Sequence, residues 1–158
     1  MSAIDFLSLV DSCMCTSIRK IARIITRIYD SHLEPSGLTI NQLGLLLTIK
    51  GQNELNELSS VGTIGQRLVM EKSTLSRNMR RLEDLGFITI ETDPTNRTQK
   101  QARVTSKGLE TVLDAYKYWD EVQNRIRTKL GKDQFEQLLG LLNLLQNELL
   151  LELDTDFV

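Results

Sequence analysis

Apolar residues recur every three to four positions over most of the chain, a period that predicts a mainly helical fold. Over residues 4–33, Met14, Ile18, Ile21, Ile25, Ile28 and His32 share one face, and Arg19, Arg23 and Arg27 line the opposite one. The pattern predicts a single helix about 45 Å long, ended by Pro35-Ser36-Gly37. A helix of that length outreaches a small core, so part of it is expected to pack on another chain. Thr39-Ile-Asn-Gln42 has the form of a capping box. It opens a second helix to about Gly51, with Leu43, Leu46 and Leu47 facing inward. Residues Gln52–Ser60 are polar and acidic and read as a connection.

Residues Val61–Gly86 read as helix, turn, helix. Ser60 is a candidate N-cap, and Val61, Ile64 and Leu68 keep helical spacing. Gly65 is small where a second helix could cross closely, and Met70-Glu71-Lys72 is short enough for the turn. In the second helix Leu75, Met79, Leu82 and Gly86 fall on one stripe. The other face holds Ser73, Arg77 and Arg80, with Thr74, Ser76 and Arg81 on its shoulders. An apolar back and a front of hydroxyls and guanidiniums suit the major groove of DNA, where Arg reads guanine through two hydrogen bonds. A solvated helix face has the same composition.

The period then changes. Phe87–Thr92 alternates apolar and polar, as does Gln101–Thr105 more weakly, so both read as strands. Between them the turn-rich loop 93–100 carries Arg97 and Lys100 near its tip. A hairpin straight after a helix–turn–helix is a wing, and a basic tip suits a narrow minor groove. Thr105 or Ser106 caps a long helix to about Leu130, whose apolar side is Leu109, Val112, Leu113, Tyr116, Trp119, Ile126 and Leu130. Gly131 breaks it. Asp133-Gln-Phe-Glu136 resembles a further capping box, opening a last helix from Asp133 to Leu153. That helix is so crowded with leucine that it must bury more than one face, and a partner chain is the simplest cover.

Charge sharpens this division. The net charge of −2 over 158 residues argues by itself against a nucleic-acid partner. Its distribution reverses the argument: residues 1–60 balance at −1, residues 61–108 at +4 and residues 109–158 at −5. The positive field lies where the helix pair and hairpin lie.

Enzyme chemistry has little support. There is one histidine, and HExxH, GxxxxGK[ST] and GxSxG are all absent. No catalytic residue, metal or cofactor is expected. No apolar run is long enough to span a bilayer, and the N-terminus lacks the basic start of a secretory signal. Cys13 and Cys15 alone do not make a disulfide framework, which fits a cytoplasmic protein. On a helix they would lie about 200° apart, a poor arrangement for a shared metal or bridge. His32 lies on an apolar face and reads as structural. Tyr116 and Trp119 fit either the lining of an effector pocket or ordinary core.

The order of elements resembles the MarR family of transcriptional regulators over nearly the whole chain. The likeness rests on SIRKIARIITRIYDSHLEPSGLT, on MEKSTLSRNMRRLEDLGFI and on DPTNRTQKQARVTSKG. It implies a winged helix–turn–helix region over 39–104, flanked by dimerisation helices over 1–38 and 105–158, in one 158-residue unit. It also implies cytoplasmic homodimers on pseudo-palindromic double-stranded DNA, released by a small-molecule effector or by thiol oxidation. The recognition helix matches at Ser73, Thr74, Ser76 and Arg77. The wing departs from the family, which commonly has Asp-Arg-Arg where this chain has Asn96-Arg97-Thr98. Arg97 is the substitute for the tip arginine and Lys100 the second choice. Cys15 and Tyr29 fall in the register of the organic-peroxide-sensing branch, but Ile40 stands where a second tyrosine is expected. A redox-active Cys15 and a buried, inert one both remain open.

The sequence thus predicts a mainly α protein with a small β-hairpin wing, acting as a DNA-binding repressor. Lys72, Arg80 and Arg81 would hold phosphates, while Ser73, Thr74, Ser76 and Arg77 read bases. The alternative is a winged helix that serves as a protein-interaction module with no DNA target.

Overall fold

The order of elements follows from where the chain can cap its helices. A computed structural model describes residues 5–54, 60–92 and 99–156, with side chains to residue 150. Seven helices are described: α1 (Phe6–Ser12), α2 (Met14–Leu33), α3 (Ile40–Glu54), α4 (Val61–Arg67), α5 (Lys72–Asp84), α6 (Ser106–Leu130) and α7 (Lys132–Asp156). Strands β1 (Ile88–Thr92) and β2 (Lys100–Val104) form an antiparallel hairpin in which Ile88 faces Val104 and Thr92 faces Lys100. The chain divides into two compact units, residues 1–119 and 120–158, and α6 runs through the boundary.

The first helix is not continuous, contrary to the sequence pattern. Asp5 caps α1 by accepting from the Leu7 and Ser8 amides at 3.1 and 3.3 Å. Ser12 turns its hydroxyl back on the Leu9 carbonyl, and Cys13 is extended at φ −76°, ψ 116°. Serine and cysteine hold a helix weakly, and no residue of α1 is buried to hold it from outside. α2 ends on a 3-10 turn at Glu34–Ser36, and Gly37 reverses the chain at φ 72°.

Thr39 and Gln42 form the expected capping box: the Thr39 amide donates to Gln42 Oε1 at 3.0 Å, and the Gln42 amide to Thr39 Oγ1 at 3.3 Å. Asp30 of α2 accepts the Ile40 amide at 2.7 Å, which joins the two helices. α3 runs three residues past Gly51 and takes Gln52, Asn53 and Glu54 out of the expected connection. Residues 55–59 of that connection lie outside the described residues.

Leu43 and Leu46 are buried as expected, but Leu47 is 50% exposed and Leu45 takes its place. The buried set is Leu43, Leu45, Leu46, Ile49 and Gln52, an arc of about 180° on which Leu47 falls off the edge. The core of the first unit also takes Leu33, Leu38, Ile64, Met79, Leu82 and Ile88.

α6 is rotated relative to its sequence stripe. Val112 and Ala115 are buried, with Gly108 on the same line, while Leu109, Leu113 and Tyr116 are exposed. Small residues face the body because the helix passes so close to β1 that a Cβ on Gly108 would overlap the Phe87 carbonyl oxygen. In the second unit Val122 and Phe135 are buried, and the Arg127 guanidinium lies 5.0 Å from the centre of the Phe135 ring. Gly131 breaks the chain at φ 87° as expected. Its carbonyl accepts the Phe135 amide at 3.0 Å, so α7 starts at Lys132 and Asp133 is not the cap.

Several apolar side chains of the described residues are exposed. Phe6 and Leu7 of α1, Met14, Ile21 and Ile24 of α2, and Leu138, Leu141, Leu142 and Leu144 of α7 are all exposed. No described helix is long and apolar enough to cross a membrane.

Candidate nucleic-acid interface

The site is built around α5, whose position is fixed from behind. Leu75, Met79 and Leu82 are buried as one stripe. α4 lies close beneath it: a Cβ on Gly65 would stand 2.8 Å from Leu75 Cδ2. Ser60 caps α4 by accepting the Thr63 amide at 3.0 Å. The same Ser60 makes an isolated antiparallel bridge to Gln101 of β2. Asn53 Nδ2 donates to the Ala102 carbonyl at 3.3 Å. The middle of β2 is thereby tied to α3 and to the start of the helix pair.

The turn is one residue earlier than its sequence suggests. α4 stops at Arg67 and Glu71 is the residue before α5, so Lys72 belongs to the helix. Val69 sits in the left-handed region at φ 47°, costly for a β-branched side chain. Amides on both sides hold it: Val69 N–H donates to Gln66 O at 3.1 Å and Met70 N–H to Gly65 O at 3.0 Å.

On the outer face of α5, Lys72, Ser73, Ser76, Arg77, Arg80 and Arg81 are exposed and Thr74 is half-buried. Asn78 Nδ2 donates to the Thr74 carbonyl at 2.9 Å, which holds that shoulder of the helix. Among the described residues Lys72, Arg77, Arg80 and Arg81 pair with no carboxylate. Their donors are therefore open to an outside acceptor. Thirteen residues of helix give a rod of about 20 Å, long enough to lie across a major groove.

Lys100 stands at the outer end of β2, exposed and opposite Thr92. Arg97, with Asn96 and Thr98, lies outside the described residues. Sequence reasoning passed over Arg103, which is exposed on β2 opposite Thr89. The signal was present: strand alternation with Ala102 buried must turn Arg103 outward. It also passed over the roles of Thr105 and Lys107 at the far end of α5.

Both cysteines are exposed in the single chain, so Cys15 is not part of its core. The Cys13 thiol is perturbed. The Thr16 hydroxyl, followed by the Thr16 amide, favours its thiolate and lowers its pKa from the ordinary cysteine value. His32 Nδ1 lies 2.9 Å from the Ile28 carbonyl oxygen, a local contact within α2. Tyr116 stacks on Trp119 with ring centres 5.8 Å apart, and Tyr116 is exposed.

A helix pair backed by a third helix and followed by an antiparallel hairpin defines a winged-helix protein. Within that class the chain is similar to the MarR family, whose model matches residues 36–97. Solved structures agree over almost the full length. The chain is similar to the transcriptional regulator MosR of M. tuberculosis in complex with DNA, with 25% identity, a TM-score of 0.71, and 86% of this chain and 98% of that one covered. It is similar to the transcriptional repressor CouR bound to a 23-mer duplex, at 20% identity, a TM-score of 0.77 and coverage of 92% and 99%. It also matches PcaV of Streptomyces coelicolor in complex with its natural ligand, at 16% identity, a TM-score of 0.75 and coverage of 93% and 98%.

Proposed function

We propose that this protein is a homodimeric, sequence-specific DNA-binding regulator that represses transcription from the cytoplasm. One observation carries the reading. α5 buries Leu75, Met79 and Leu82 while holding Ser73, Ser76, Arg77 and Arg80 outward, with no carboxylate among the described residues paired to the arginines. In this reading Ser73, Thr74, Ser76 and Arg77 contact base edges. Lys72, Arg80 and Arg81 hold phosphates, and Arg97 and Lys100 bring the wing to the minor groove. The protein–DNA complexes of MosR and CouR support the assignment.

The uncovered leucines of α7 and isoleucines of α2 support a second copy as the partner. Two recognition helices then meet one face of a duplex when spaced by about 34 Å, one helical turn. A small molecule whose binding shifts the arms would change that spacing and release DNA. The ligand complex of PcaV supports a small-molecule effector. Thiol oxidation is the second route to release, through Cys15 as the family register has it or through Cys13, which has the lowered thiol pKa.

Selection of bound duplexes from a random pool tests the reading. An inverted repeat with half-site centres about 10 base pairs apart is expected. No enrichment, together with no salt-sensitive binding to genomic fragments, would overturn it in favour of the protein-interaction module.

A further inference from the structure

The C-terminal end of α5 is closed in two layers. The first is internal: Gly86 reverses the chain at φ 73°, its amide donates to Glu83 O at 2.8 Å, and the Phe87 amide donates to Leu82 O at 2.9 Å. The second comes from the start of α6. Lys107 Nζ donates to the Leu85 carbonyl at 2.9 Å, Thr105 Oγ1 to the Gly86 carbonyl at 2.7 Å, and the Thr105 amide to the Phe87 carbonyl at 3.0 Å. Three consecutive carbonyls are thus taken by Thr105 and Lys107, two residues at the start of α6. Thr105 Oγ1 also accepts the Gly108 amide at 3.0 Å, so one hydroxyl caps α6 and holds α5 together. Lys107 Nζ lies 5.4 Å from the centre of the Phe87 ring.

We infer that Lys107 is a positioning residue for DNA reading: from the first turn of α6 it fixes the direction in which α5 presents Ser73, Ser76 and Arg77. The inference rests on the proposed DNA-binding function and deepens it. An ammonium is suited to the task, because the carbonyl end of a helix carries partial negative charge and a charged donor makes the stronger hydrogen bond. Gly108 leaves no slack, since any side chain there would meet the Phe87 carbonyl. The end of α5 therefore follows the start of α6 when α6 turns. Lys107 touches no base in this scheme. It sets how strictly the protein demands one distance between half-sites.

Lys107→Met keeps the stem and removes the donor, and Lys107→Arg keeps charge and donor. Each is compared with wild type on duplexes carrying the selected repeat at its best spacing and with one base pair added or removed. A second measurement, amide hydrogen exchange across residues 82–87 without DNA, does not depend on DNA binding. Lys107→Met is expected to lose about tenfold in affinity at the best spacing, the order of one charge-assisted hydrogen bond. Its penalty for a changed spacing should shrink, exchange over 82–87 should quicken, and Lys107→Arg should restore both. A loss that is equal at every spacing, or unchanged exchange, overturns the positioning role. If wild type binds no duplex while exchange still quickens in Lys107→Met, the clamp stands and the DNA reading is what fails.

Discussion

Gly65 and Leu75 meet so closely that a Cβ on the glycine would stand 2.8 Å from Leu75 Cδ2. The helix pair closes on that contact. Gly65→Leu is expected to destabilise the protein by about 1–3 kcal/mol through overpacking. Gly65→Ala should cost less, since a helical alanine returns up to about 1 kcal/mol over glycine and the Leu75 methyl can give a little. Leu75→Ala, which vacates the space, should partly rescue Gly65→Leu. Urea midpoints of the singles and the double would show it, and strict additivity would mean the two side chains do not press on each other.

Arg77 and Lys72 should fail differently. Arg77→Ala should weaken binding to the selected operator by about 1–3 kcal/mol and relax the preference at one base position. Lys72→Ala should weaken binding to all sequences alike and reduce the salt slope by about one. Gel-shift titrations over several salt concentrations, on the operator and on point variants of it, separate the two. An Arg77 variant with unaltered base preference would remove that residue from the reading set.

A charge on the uncovered face of α7 should part the subunits. Leu141 and Leu144 are both exposed in the single chain. Leu141→Glu places a carboxylate where the homodimer reading buries a leucine. Sedimentation at micromolar concentration is expected to report a single subunit for the variant and two for wild type. Equal masses would mean that this face is not what joins the copies.

The two thiols should react at different rates. Cys13 has its pKa lowered by the Thr16 hydroxyl and amide, so more of it is thiolate near neutral pH. With a disulfide reagent at pH 7.5 the fast phase should belong to Cys13. Cys13→Ser should abolish that phase and Cys15→Ser should leave it. Because a lowered thiol pKa extends the thiolate to lower pH, the fast phase should slow less between pH 8 and 7 than an ordinary cysteine would. Indistinguishable rates would show that Thr16 does not govern the chemistry.

Much of this fold is written in local signals that need no tertiary knowledge. Thr39 with Gln42, Ser60 with Thr63, and Thr105 with Gly108 are caps whose partners lie three residues away. Gly131 stops α6 by its own backbone freedom. The stripe of Leu75, Met79 and Leu82 was legible because helical period alone separates it from the arginines. What escaped depends on neighbours. Cys13 breaks the first helix, and no residue of α1 is buried to hold the two pieces in line. Leu45 displaces Leu47 because α3 is covered over half its circumference. α6 turns its small residues inward because the Phe87 carbonyl is in the way. Lys107 looked like any exposed lysine until the carbonyl beneath it was placed.

The leucine face of α7 has a further consequence for the life of a single copy. If the proposed homodimer is what covers them, a newly made polypeptide keeps Leu138, Leu141 and Leu144 in water until a second copy binds, an exposed apolar patch that favours unwanted association. Making copies close together in time and place shortens the wait, and scarcity lengthens it. Under the proposed function, abundance would then govern this protein twice, once through how many DNA sites are filled and once through whether an unaccompanied molecule escapes the cell's disposal machinery.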